Sequence, residues 1–114
     1  MSVKIIVNEV LSSDLAVATE SGDTVFKQIE NALNKGEKII LDFINIRIMT
    51  TAFLNAAIGQ LYSNDKFNSE FLNSHLNIIN VADEDKPLFT IVIKRAREFF
   101  NDKRNFESSI DNNL

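Results

Sequence analysis

The 114 residues contain no cysteine, which removes disulfides, thiolate nucleophiles and every cysteine-based metal site at once. The single histidine, His75, rules out a histidine-rich metal site as well. Tryptophan is absent, and tyrosine occurs once against nine phenylalanines, so the aromatics suit a core better than an amphipathic binding surface. Glycine is scarce too. Gly22, Gly36 and Gly59 are the only three, and none falls in a Walker or dinucleotide spacing, which excludes nucleotide binding of those two types. No apolar run is long enough to span a membrane, and residues 1–7, with Lys4 among them, are too few and too interrupted for a signal peptide; they read as a mature cytosolic start. A surplus of positive charge is also missing. At a net charge of -4 and a pI near 4.9, sequence-independent nucleic-acid binding is disfavoured.

What is present is an ordinary globular balance, 45% hydrophobic and 25% charged, in a length that supports one core and not two. Val3, Ile5 and Val7 alternate as in a half-buried strand near a sheet edge. A polar connection over 11–23 follows, whose apolar island at 15–18 reads as either a short strand or the start of the next helix. Val25, Phe26, Ile29, Ala32 and Leu33 lie at helical spacing, which extends back through Gly22 to Ala18 and closes at Gly36. Residues 38–46 form a near-continuous apolar run, the signature of a central strand covered on both faces.

Thr50 and Thr51 are N-cap candidates for a helix that is apolar nearly all round at its start, from Ala52 to Tyr62. Phe67, Phe71 and Leu72 mark a shorter helix, and residues 76–81 a second buried, inner strand. Asp83 opens a last helix that tolerates Pro87 because it falls in the first turn. On that helix Leu88, Ile91, Val92, Arg95 and Phe99, with Phe89, Ile93, Ala96 and Phe100 beside them, make a stripe wide enough to pack onto a sheet. The domain is expected over 1–101 and a flexible polar tail over 102–114. The alternation of strands and helices with short connections gives an α/β class, a small mixed or parallel sheet covered by helices.

Candidates for chemistry are few. His75 has no local nucleophile or carboxylate partner in a catalytic arrangement, and Asp83, Glu84 and Asp85 are explained by the helix dipole they precede. Lys94, Arg95, Arg97, Lys103 and Arg104 form a basic cluster near the end of the last helix, suited to the dipole or to an acidic partner. No catalytic residue, metal site or cofactor is expected. The stretch from Leu41 to Leu54 is different. Asp42 sits in a buried strand, where an unpartnered carboxylate would cost several kcal/mol, so it should reach backbone N–H groups or the sheet edge. Asn45, Thr50, Thr51, Ala52 and Phe53 complete a candidate partner-binding loop.

Through Leu41-Asp42-Phe43, the apolar Ile46 and Ile48, and Thr50-Thr51 leading into Ala52-Phe53-Leu54, the chain resembles the STAS superfamily of anti-sigma factor antagonists. Within it, the resemblance is closer to the STAS-like domains called DUF4325. It extends more loosely from Val3 to about Phe100, with the helix around Gly22 and the strand ending Ile78-Ile79-Asn80 in the expected order. Anti-sigma factor antagonists carry Asp-Ser-Ser-Gly-Leu at this helix start, and a kinase of the GHKL ATPase type phosphorylates the second Ser. With Leu54 on the Leu, Thr50 stands on the Asp, Thr51 on the first Ser, Ala52 on the phosphorylated Ser and Phe53 on the Gly. The acceptor hydroxyl is missing, so the switch is either lost or taken over by Thr50 or Thr51, and Phe53 is expected to fill an open approach to the loop.

The resemblance implies a non-catalytic module that binds a protein partner such as a GHKL-type ATPase, and the composition adds the expectation of a cytoplasmic setting with no membrane or nucleic-acid partner. The alternative is a small-molecule or nucleotide sensor using a pocket where the strands end. Neither reading carries an oligomeric state.

Overall fold

A computed structural model describes residues 2–63 and 66–113, with side chains as far as residue 99. Strand β1 (Ser2–Ile6) leads directly into a five-residue helix α1 (Val7–Leu11). Val7, expected to end the strand, is instead the first helical residue and is fully buried. This short helix closes on Ser12, at φ +50°, whose N–H donates to the Glu9 carbonyl while that of Ser13 donates to Asn8. The apolar island resolves into a strand of two residues, β2 (Leu15–Ala16).

Helix α2 (Thr19–Asn34) buries Gly22, Val25, Ile29, Ala32 and Leu33 along one face. It ends as the sequence indicates: Gly36 adopts φ +73°, and the N–H groups of Gly36 and Glu37 donate to Leu33 and Ala32. Strand β3 (Lys38–Asp42) follows, then β4 (Ile48–Met49). The strand expected over 38–46 therefore stops at Asp42. Its side chain takes the N–H of Ile44, and Asn45 turns the chain at φ +61°.

Helix α3 covers 51–62. Its first turn, Thr51–Leu54, and its last residues, Gln60–Tyr62, are α-helical, and a π-helical turn, Asn55–Gly59, lies between them. Helix α4 (Ser69–His75) is capped by the Asn68 side chain, which accepts the Phe71 N–H at 2.7 Å. It passes into β5 (Leu76–Ile79). A 3₁₀ turn, Asp83–Asp85, then precedes the long helix α5 (Lys86–Asn113). The tail expected over 102–114 falls where side chains lie outside the described residues; the backbone of α5 continues to Asn113.

The main sheet has the order β1-β3-β5, all parallel, and β2 pairs in parallel with β4 in a second, two-stranded ribbon. β3 is central as expected, but β5 is an edge strand and not an inner one. Both crossovers advance in the same direction across the sheet, so right-handed connections place their helices on one face. The register agrees. Val3, Ile39 and Leu76 form one row on that face, and Ile5, Leu41 and Ile78 the next.

The opposite face carries Lys4, Ile40 and Asn77 in one row, with Lys4 and Asn77 exposed and Ile40 only half-buried. Coverage of β3 on both faces is thus corrected. The apolar run 39–41 mixes two inward residues with one that faces partly to water. The core lies between the sheet and a single helical layer in which α3 packs between α2 and α5. α5 accordingly packs chiefly on α3 and not on the sheet, through Phe89, Val92 and Ala96, while Ile91, Arg95 and Phe99 stay exposed. The Phe89 ring meets Phe43 edge-on at 5.3 Å. Among the described residues no helix is long and apolar enough to cross a membrane.

Candidate functional site

The six residues singled out between Asp42 and Phe53 divide into two interior positions and a surface. Asp42, at the C-terminal end of β3, is 2% exposed. Its Oδ1 accepts the Ile44 N–H and the Asn80 side-chain amide, both at 2.9 Å, and its Oδ2 lies 3.5 Å from the Lys4 ammonium. Burial alone would raise this carboxyl, but the Asn80 amide, the Ile44 N–H and Lys4 together outweigh it and hold Asp42 below the ordinary carboxylate range. The group therefore ties the middle of β1, the end of β3 and the turn after β5 together. Asn80 adopts φ +59° there, a conformation that asparagine tolerates well.

Phe53 is fully buried among core residues. It points inward and does not fill the approach to the loop, which corrects the expectation drawn from its place on the family's Gly. Asn45 is exposed, with its carbonyl accepting from the Asn8 side chain at 3.1 Å. Among the described residues, no hydrogen bond or ion pair joins Asp42 or Asn45 to the start of α3.

Thr50 is the N-cap of α3. Its hydroxyl accepts the Phe53 N–H at 3.2 Å and donates to the Val17 carbonyl at 2.7 Å, so one oxygen fastens the helix start to the chain just after β2. The Thr50 N–H reinforces this by donating to the Ala16 carbonyl at 3.1 Å. With Thr50 engaged on both sides, the outward residues of the turn are Thr51, partly exposed, and Ala52, exposed.

The ribbon beside this turn brings in residues that the candidate set omitted. Ala16 and Met49 are buried, whereas Leu15, Val17 and Ile48 are 40%, 40% and 45% exposed. Leu15 and Ile48 are register partners, and Val17 follows Leu15 by two residues along extended chain, so the three share the outer side. Arg47 and Asp14 pair at 3.0 Å at the rim of this strip. The alternation Leu15, Ala16, Val17 is the signal for it, but a strand of two residues leaves that signal too short to separate from a helix start.

His75 stacks on Phe71 at 4.0 Å, and its Nδ1 lies within hydrogen-bonding distance of the Ser74 hydroxyl and the Phe71 carbonyl. These contacts are local to α4. Among the described residues, no group of three or more His, Asp or Glu side chains is placed to hold a metal ion.

A family model described as a STAS-like domain of unknown function (DUF4325) matches residues 21–86, more than half of the chain. No curated protein and no solved structure gives a significant match. The chain belongs to the DUF4325 family of STAS-like domains, whose matched region runs from α2 through the Thr50 turn to the start of α5.

Proposed function

We propose that this STAS-like domain is a non-catalytic, cytoplasmic regulatory module that docks to a protein partner of the GHKL ATPase type, in the manner of anti-sigma factor antagonists. The docking surface is the turn Thr50-Thr51-Ala52 together with the strip Leu15, Val17 and Ile48. The observation that supports this reading is the strip itself. Three large apolar side chains are held in water beside the turn that the family resemblance singles out, and a contiguous apolar patch bordered by polar groups is characteristic of an interaction surface. Of the two hydroxyls, that of Thr51 is the one not used as the cap, so a phosphorylation switch displaced from Ala52 would act there.

Calorimetric titration with a GHKL-type ATPase from the same genome tests the reading. Leu15→Glu, Ile48→Glu and Thr51→Glu should each weaken binding by about tenfold or more while leaving the fold intact. Thr50→Ala should cost about 1 kcal/mol of stability through the lost cap. Unchanged affinity in all three charge variants would move the interface elsewhere.

In the alternative, sensor reading the ligand sits where the strands end; there Asn80 hydrogen-bonds Asp42 between β3 and β5, and open space of about 560 Å³ lies beside the C-terminal end of β5. A rise in melting temperature with a nucleotide alone would favour the sensor over the docking module.

A further inference from the structure

The outer edge of β5 and the flank of α5 form an open groove that the docking surface above does not use. One part, of about 560 Å³, lies beside the C-terminal end of β5, with Ile78, Val81, Phe89 and Ile93 as its apolar lining and Lys86 at its mouth. A second part, of about 470 Å³, shares Phe89 and Ile93 and continues past Asn73 and Tyr62 to Lys94, Arg97 and Glu98. Of β5 itself Ile78 and Ile79 line the first part, and Asn73, shortly before the strand, lines the second. The α5 wall from Lys86 to Arg97 rises about 17 Å, long enough to lie along a short extended peptide.

The β5 edge is chemically ready for such a guest. The Ile79 carbonyl accepts the Phe43 N–H on the β3 side, so Ile79 and Asn77 direct their backbone groups towards β3. Leu76 and Ile78 then direct theirs outward. No strand pairs with that edge among the described residues.

The charges choose the guest. The groove is lined by three cations, Lys86, Lys94 and Arg97, and one anion, Glu98, in a chain whose net charge is -4. Arg97 lies over the Tyr62 ring at 5.1 Å, whereas Lys86 is already paired with Asp83 at 2.8 Å, so Lys94 and Arg97 are the cations that face a guest. A second copy of this chain would bring the same basic rim against itself.

We propose that this groove binds an extended acidic segment of a partner protein by strand addition to β5, with apolar side chains on Ile78, Phe89 and Ile93 and carboxylates towards Lys94 and Arg97. This proposal is independent of the Thr50 surface and uses a different edge of the molecule.

The probe is a fluorescent octapeptide alternating valine with glutamate, compared with its valine–lysine counterpart by anisotropy on the full chain. The glutamate peptide should bind about tenfold or more tightly than the lysine one, and shift the amide resonances of Leu76 and Ile78. The double variant Lys94→Glu and Arg97→Glu should reverse the preference. Ile78→Pro removes an outward N–H without touching the β3 ladder and should abolish binding of both peptides. Should that variant fail to fold, the charge reversal and the amide shifts decide. Equal binding of the two peptides, no binding of either, a preference that survives charge reversal, or a dimer sealed through β5 in sedimentation would each overturn the proposal.

Discussion

Asp42 combines two hydrogen bonds and an ion pair on a carboxylate only 2% exposed, and its protonation is therefore a lever on stability. Its folded pKa lies below the ordinary value because two hydrogen bonds and a cation favour the charged form more than burial opposes it. The unfolded chain thus takes up the proton first. The stabilisation is present in full above about pH 4 and is lost as the pH falls through the folded value. Asp42→Asn keeps an acceptor for Ile44 but loses the charge. It should cost about 1–3 kcal/mol in urea unfolding near neutral pH, and the gap to the parent should narrow in acid. A gap that stays constant down to about pH 2 would mean that the carboxylate charge contributes nothing. Lys4 is a lesser partner, being 54% exposed in its side chain, where solvent screens the pair.

At the scale of elements, two glycines test two different demands. Gly22 lets α2 touch α3: a Cβ there would run into the Phe53 carbonyl oxygen and lie 2.6 Å from the Ala56 Cβ. Gly22→Ala should therefore destabilise by about 1–3 kcal/mol or more, despite the roughly 1 kcal/mol that alanine gains in helix propensity. Gly36 meets nothing within 4 Å, so Gly36→Ala carries only the strain of φ +73°, about 1 kcal/mol. Chemical denaturation should rank the two in that order, and a Gly22→Ala variant more stable than the parent would contradict the close contact.

The elements also show what the sequence could disclose. α2 and its Gly36 stop were legible because helical periodicity and a C′ glycine agree, and the Thr50 cap because a hydroxyl precedes a buried helix. α1 was not, since its stop is made by Ser12 in a conformation that serine seldom adopts. The open sheet face was hidden because Ile39, Ile40 and Leu41 look alike in sequence whichever way each one points. Of the candidate site, the turn was readable, whereas Leu15, Val17 and Ile48 become a surface only when the β2–β4 pairing sets them side by side.

For the whole molecule, one core between one sheet and one helical layer means that protection from exchange should follow depth within it. Amides of β3, paired on both sides, should exchange only with global unfolding, while those of the β2–β4 ribbon should open locally at a much smaller free energy. Native-state hydrogen exchange in which the two are equally protected would contradict this layering. The π-helical turn has a bearing on the same core. It holds one residue more than an α-helix would need to join the two ends of α3. Deleting a single residue from Asn55–Gly59 would let the ladder close as a regular helix, and because the wider turn advances less per residue, the residues beyond would keep the direction they face. Leu61 and Tyr62 would then stay buried on the same side while Thr50 stayed where it is. The surplus residue is thus a removable spacer: it widens the middle of one buried helix without changing the direction in which either end faces.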